Sequence, residues 1–195
     1  MRFSYKEGYN DVEADAVATL LSDIGYCFQA DYGSAGTGAL PNIEWLIDHF
    51  SYRAGTQYCY RQTITKDGWN ALIRNEIDNN RPVLYSGFEK DGSYGHAFVV
   101  DGYDSHNFFH LNWGWAGGAN GYFLLEDLRP EGYDFSYDQW VLLGFEPARD
   151  TSDFPNWITT FDIAADRNEF DLNTPFTITS LGIINQTPRA FNGFL

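Results

Sequence analysis

The stretch Tyr94-Gly95-His96-Ala97-Phe98-Val99-Val100-Asp101-Gly102-Tyr103-Asp104, continued by Phe108-Phe109-His110-Leu111-Asn112-Trp113-Gly114-Trp115-Ala116-Gly117-Gly118, reads as a β-hairpin. A histidine opens an apolar run directly after a glycine, and an asparagine followed by a tryptophan closes the next run. Asp104-Ser105-His106-Asn107 supplies turn residues between them. Antiparallel pairing across that turn sets the start of one strand beside the end of the next. His96 and Asn112 are then expected to meet at one end of the hairpin.

Outward from the hairpin, the C-terminal side continues in short strand-type runs, Gly121 to Leu125 and Gln139 to Glu146, and Pro82 to Ser86 precedes it. The N-terminal side is helical in texture. After Asn10-Asp11, the residues Val12, Ala16, Val17, Leu20, Leu21 and Ile24 keep three-to-four spacing, and Gly25 marks a stop. The small-residue loop from Asp31 to Gly38 follows. Pro41-Asn42 opens a second helix with Ile43, Leu46, Ile47 and Phe50 on one face. A third starts near Thr65, with Trp69, Leu72, Ile73 and Ile77 inward, and ends at Asn79-Asn80. Helices followed by an antiparallel sheet predict an α+β class.

Beyond residue 147 the sequence turns polar from Ala148 to Asp153, and Pro155 and Trp157 lead into two further strand-like runs, Ile158 to Ala164 and Pro175 to Ile184. The expected organisation is one domain over 1–147, a linker over 148–157 and the start of a β-sandwich-type module over 158–195. Two or three strands cannot close a sandwich, because each sheet needs a partner to bury its apolar face.

Composition narrows the function. A formal net charge of −15, with 12 Lys and Arg in the whole chain, argues against a nucleic-acid or anionic-membrane partner. No run of about 18 apolar residues is present, so no membrane span is expected, and no signal peptide is visible at the N-terminus. The two cysteines, Cys27 and Cys59, lack the spacing of a zinc knuckle or a redox pair. Asp101 and Asp104 lack the alternating ligand pattern of a calcium loop. His106 and His110 face differently in a turn and strand, so no metal and no organic cofactor are expected.

A histidine positioned at a hairpin end by an amide side chain suits thiol chemistry. The imidazole holds a cysteine as thiolate and later gives a proton to a leaving amine, while an amide on the other ring nitrogen fixes its tautomer. Trp113 is placed to cover that contact. A lone strand-end histidine is more often simply satisfied by a backbone carbonyl, with neighbouring tryptophans in the core; the combination Gly-His-Ala-Phe with Asn-Trp-Gly-Trp shifts the balance towards chemistry. Neither cysteine fits the nucleophile's place at a helix N-terminus. Cys27 follows the expected helix stop, and Cys59 sits in the strand-like run Gln57-Tyr58-Cys59-Tyr60; structural burial is expected for both.

From Arg81-Pro82-Val83-Leu84-Tyr85-Ser86-Gly87 through Gly95-His96-Ala97-Phe98 and Leu111-Asn112-Trp113-Gly114-Trp115 to Gly121-Tyr122-Phe123, the sequence resembles the streptopain and interpain family of secreted bacterial cysteine peptidases. The segment Ala16 to Leu21 and the loop Tyr32-Gly33-Ser34-Ala35-Gly36 match as well. The resemblance implies a partial papain-like fold and peptide-bond hydrolysis by a Cys-His-Asn mechanism. His96 is the implied base and acid, and Asn112 with Trp113 its orienting shell. Gly95, Gly33 and Ser34 are the implied cleft residues, where backbone groups hold an extended peptide. It further implies a protein or peptide substrate, a preference for an apolar residue at the second position before the cleaved bond, an inhibitory pro-segment and export. The family's nucleophile lies upstream of the first helix and has no counterpart in the chain. Alternatives are an inactive peptide-binding relative and a papain-like acyltransferase of transglutaminase type. The family usually shows Gly-Gly after the second tryptophan, where this chain has Ala116-Gly117-Gly118.

Overall fold

A computed structural model describes residues 8–34, 36–53, 55–148, 158–161, 164–166, 175, 177–179 and 182–185. The chain divides into two compact units, Met1–Ser51 and Tyr52–Leu195. That boundary falls inside the segment 1–147 expected to form one domain, whereas the expected linker, apart from Ala148, lies outside the described residues.

In the first unit, helix α1 spans Asp11–Cys27. It starts at Asn10 because a reciprocal cap closes there: the Asn10 side chain accepts from Glu13 N–H at 3.0 Å, and Glu13 returns the bond to Asn10 N–H at 3.1 Å. Gly25 is buried within the helix rather than ending it, and the helix runs on to Cys27. A two-residue ladder, β1 (Asp31–Tyr32) with β2 (Thr37–Gly38), folds the small-residue loop into a miniature hairpin. Helix α2 (Ile43–Phe50) is capped by the Asn42 side chain and ends on Ser51 in the left-handed conformation, φ 55°.

The second unit is built on a six-stranded antiparallel sheet in the order β3-β8-β4-β5-β6-β7. Its strands are β3 (Gln57–Tyr60), β4 (Val83–Phe88), β5 (Gly95–Tyr103), β6 (Phe109–Asn112), β7 (Gly121–Phe123) and β8 (Tyr137–Leu143). Helix α3 (Lys66–Asp78) begins at Thr65, whose hydroxyl accepts from Gly68 N–H, and lays Trp69 and Ile73 on one face of the sheet. Alternation along each strand selects what meets them. Val83 and Tyr85, Phe98 and Val100, Phe109 and Leu111, and Val141 and Leu143 are all buried and join the same core cluster.

A polar relay runs through this core. Trp69 Nε1 donates to the Tyr85 hydroxyl at 2.9 Å, Tyr85 donates to Gln139 Oε1 at 2.8 Å, and Gln139 Nε2 donates to the Leu125 carbonyl at 2.8 Å. Burial pushes the Tyr85 hydroxyl's pKa up, so it stays protonated and can donate. At the end of α3, Glu76 accepts two 2.8 Å bonds from Arg81 and one of 2.9 Å from Gly144 N–H, tying the helix to the exit of β8.

Past residue 147, β9 (Ile158–Phe161) pairs antiparallel with β12 (Gly182–Asn185), and β10 (Ala164–Ala165) with β11 (Ile178–Thr179). The two ladders keep one common register. The two strand-like runs read from the sequence therefore pair with each other. The charges at Asp127, Arg129 and Glu131 are exposed, as expected of a solvated turn, but Leu128 between them is fully buried and belongs to the core.

Candidate active site

His96 is the second residue of β5 and lies directly opposite Gly87 of β4, two positions along from the Tyr85–Phe98 pair. Period-two alternation therefore puts its imidazole on the same face as Phe98 and Val100, at the open end of the core. Trp113 continues the face of Phe109 and Leu111 one step past the end of β6 and is completely buried. The segment 124–136 closes that end of the sheet, burying Leu125, Leu128 and Phe135. Gly87 makes this possible: a Cβ there would stand 2.0 Å from the Phe135 carbonyl oxygen. The result is a ring of aromatic groups around a half-buried imidazole, with ring centres 4.9 Å away for Trp115, 5.4 Å for Phe135 and 6.2 Å for Trp113.

The hydrogen bond that fixes His96 differs from the one read from the sequence. His96 Nε2 lies 2.7 Å from the main-chain carbonyl oxygen of Trp113. A carbonyl can only accept, so Nε2 carries the proton and Nδ1 holds the basic lone pair of the neutral ring. Among the described residues, Nδ1 makes no hydrogen bond.

The Asn112 amide, expected to orient the imidazole, instead accepts from Gly114 N–H at 3.0 Å. The reason is parity. Asn112 pairs directly with Val99, which faces away from Phe98 and the core, so the asparagine side chain lies on the outer face of the sheet while His96 lies on the inner one. The two ends of the hairpin do meet, but through the backbone one residue further on. That backbone is held in place by Asn120, whose side-chain oxygen accepts from Trp113 N–H at 3.0 Å.

The remaining expected site residues are divided between the units. Gly95 opens β5 beside His96, and a Cβ on it would come within 2.4 Å of the Phe88 ring. Gly33 and Ser34 belong to the first unit, in the turn between β1 and β2, where Gly33 N–H donates to the Gly36 carbonyl at 2.9 Å.

Cys59 is excluded as a partner of His96. It lies in a row across the sheet with Val141, Tyr85 and Phe98, three strands from β5 and so about 14 Å away at a strand spacing of about 4.8 Å. Burial, and then the charge of Glu76, also raise its thiol pKa, the opposite of an activated nucleophile. Cys27 is a buried residue at the C-terminal end of α1, the opposite end of a helix from the one that carries such a nucleophile.

Among the described residues no group of three or more His, Cys, Asp or Glu is placed to hold a metal ion. His106 lies against Asp104 and His110 against Asp101, as two separate exposed pairs. No described helix is long and apolar enough to cross a membrane.

Sequence reading did not single out Trp115, Phe135, Tyr133 or Tyr94 as site residues. The first three come together through a loop whose path depends on Gly87, and no spacing rule reports that kind of approach. Trp115 alone carried a local signal, the Trp-Gly-Trp repeat that sets both indoles on one side of a tight turn.

The same region is where known proteins agree with the chain. The peptidase C10 family matches residues 1–123. The thiol protease/hemagglutinin PrtT of Porphyromonas gingivalis is 38% identical over 151 residues, which is 72% of this chain and 17% of that protein. Streptopain of Streptococcus pyogenes is 36% identical over 129 residues, 65% of this chain and 32% of streptopain. The solved structure of active wild-type interpain A, a cysteine protease of Prevotella intermedia, superposes with a TM-score of 0.68 at 31% identity, covering 75% of this chain and 62% of that one. The chain thus spans about a third of streptopain's length and less of PrtT's. Sequence match and shared architecture point the same way: this chain belongs to the peptidase C10 family, and its fold is the α+β, papain-like fold of cysteine peptidases.

Proposed function

We propose that the chain is the histidine-bearing part of a secreted cysteine endopeptidase, with His96 as its proton shuttle and the nucleophilic cysteine supplied by sequence outside these residues. The observation that carries this reading is the imidazole itself. It is half-buried in an aromatic surround, fixed through Nε2 by the Trp113 carbonyl, and its Nδ1 is left as an open base. A backbone carbonyl would satisfy a structural histidine equally well; what supports the chemical reading is the second ring nitrogen, Nδ1, which has no hydrogen-bond partner among the described residues.

In the proposed reaction a thiol proton passes to His96 Nδ1, and the thiolate sulfur attacks the scissile carbonyl carbon. The tetrahedral intermediate collapses with cleavage of the C–N bond, and the imidazolium gives its proton to the departing amine. Water, deprotonated by the same nitrogen, then hydrolyses the thioester and frees the thiol. The Trp113 carbonyl stabilises the imidazolium through its Nε2–H. Buried Trp113 shields that contact from water, and Asn112 acts on the imidazole indirectly, by fixing the turn at Gly114. Gly95, Gly33 and Ser34 are proposed to offer main-chain groups to an extended substrate. An inhibitory pro-segment and export complete the proposal, and the strands from residue 158 onward are read as the beginning of a separate β-module joined by the 148–157 linker.

The test compares casein hydrolysis, under reducing conditions, by the longer gene product, by its His96→Ala variant and by the 195-residue chain. Hydrolysis by the longer product alone supports the reading. Hydrolysis by the short chain would place the nucleophile at Cys27 or Cys59, and peptide binding without cleavage by any form would favour an inactive relative.

A further inference from the structure

Next to His96 lies an exposed aromatic surface that the proposed reaction does not use. It is built by two loops from different parts of the sequence. The β4–β5 turn, closed by Glu89 N–H donating to the Tyr94 carbonyl at 2.8 Å, presents Tyr94. The segment between β7 and β8 presents Tyr133, at a turn closed by Tyr133 N–H donating to the Pro130 carbonyl at 3.0 Å. The two phenol rings are 44% and 40% exposed and stack on each other with centres 5.7 Å apart and planes 21° apart.

Beneath them is Phe135, 5.4 Å from Tyr133 and 6.5 Å from Tyr94. Three near-parallel rings at three similar mutual distances cannot form a column; they form an offset terrace with a broad open face. The terrace is continuous with the imidazole, because Trp115 contacts Tyr133 at 5.7 Å and His96 at 4.9 Å. Among the described residues neither tyrosine hydroxyl is hydrogen-bonded to protein. Large aromatic side chains are rarely left this exposed, side by side, without a partner to cover them.

The surroundings of the terrace are acidic. An open groove between the same two loops is lined by Glu89, Lys90, Asp91 and Asp134; with Arg129, which pairs with Asp134 at 3.3 Å, three carboxylates stand against two cations. Asp91 is held ionised by the hydroxyl and N–H of Ser93, and Asp134 by Ser136 and Arg129. Electron-rich ring faces edged with carboxylates favour a group that is both planar and positively charged. A guanidinium meets both conditions, stacking on the phenols and keeping its charge beside the carboxylates. An ammonium lacks the plane, and a neutral aromatic ring lacks the charge.

We infer that Tyr94 and Tyr133, joined to His96 by Trp115, form a side-chain subsite that selects arginine at a substrate position close to the scissile bond. The inference rests on the proteolytic reading above. One half of the determinant, Tyr133, lies beyond the family match that ends at residue 123, and the other half, Tyr94, lies within it.

The experiment uses the longer gene product and fluorogenic peptides in which each residue flanking the cleaved bond is varied in turn among Arg, Lys, Phe, Leu and Glu. One position is expected to favour arginine over leucine by about tenfold, the size of a partly desolvated cation–π contact. Tyr133→Ala should abolish that ratio, chiefly through KM, while Tyr133→Phe retains it. Tyr94→Ala, on the other loop, provides an independent reading if the Tyr133 variant fails to fold. A tenfold preference for phenylalanine at that position, or equal cleavage of all peptides, overturns the subsite and leaves proteolysis intact. Failure of the parent to cleave any peptide or casein overturns the proteolytic reading and the subsite with it.

Discussion

Helices α1 and α3 carry apolar residues at the same three-to-four spacing, yet they end up in opposite circumstances. On α3, Trp69 and Ile73 are fully buried against the sheet. On α1, Val12 is 78% exposed and Leu21 61%. Periodicity specifies that a segment can form an amphipathic helix; it does not specify what its apolar face meets. In the second unit the partner is encoded nearby, as the alternating strands β4, β5 and β8. In the first unit the described residues supply no comparable surface for α1.

The largest expected effect tests that contrast directly. Replacing Trp69 with alanine removes a fully buried indole and breaks the start of the relay through Tyr85 to Gln139, so a loss of about 3–5 kcal/mol is expected in chemical denaturation. A truncation of the same kind on α1, Leu21→Ala, should cost less than about 0.5 kcal/mol. Equal losses would mean that α1 is covered in solution, and the contrast would fail.

A second prediction concerns the ion pair that anchors α3. Burial acts to raise the Glu76 pKa, but the bonds from Arg81 and Gly144 N–H outweigh it and hold the carboxyl below its ordinary value. A depressed folded-state pKa contributes stability above the unfolded carboxylate pKa of about 4.3, and that stability disappears as the pH falls through the folded value. Glu76→Gln should therefore cost about 2 kcal/mol near neutrality. Its denaturation midpoint should also depend less on pH below about 5 than the parent's. An acid limb of unchanged slope would remove Glu76 from the account.

The Ala116-Gly117-Gly118 turn yields a smaller effect of opposite sign. Ala116 adopts φ 52°, in the left-handed region that a Cβ disfavours, and Gly117 follows at φ 90°. A glycine at position 116 would avoid that strain. Ala116→Gly should stabilise the second unit by about 1 kcal/mol, the left-handed penalty outweighing the added freedom of the unfolded chain. A destabilised variant would show that the alanine methyl makes a contact that compensates for the strain.

How far the sequence was legible follows from the same comparison. The three helices, the strand-type runs beyond residue 81 and the position of His96 at one end of a hairpin are legible, because caps, alternation and turn residues are local signals. Gly25 reads as a stop in the sequence, yet α1 continues through it to Cys27. The hairpin argument points the imidazole at the Asn112 side chain because it counts ends and not faces, whereas the bond goes to the Trp113 carbonyl. The parity of Trp113 with Leu111 and Phe109 held the answer. The aromatic terrace was not legible at all, since Tyr94 and Tyr133 stand 39 positions apart in sequence and meet only where Gly87 lets one loop approach the sheet.

The smallest thermodynamic effect carries the clearest information about α1. Leu21→Glu places a charge on the exposed apolar stripe and should change the melting behaviour little, within about 0.5 kcal/mol, because no buried contact is lost. Its effect should fall on association. Leu20 and Leu21, both exposed on the apolar stripe of α1, leave apolar area of the kind that drives proteins to self-associate, so the parent chain is expected to elute from a sizing column at a concentration-dependent position. The Leu21→Glu chain should stay monomeric to higher concentration and so elute later than the parent at the same loading. If both chains are monomeric at every concentration, the α1 stripe is covered within the molecule, and the difference between the two helices lies in which contacts bury them and not in whether they are buried.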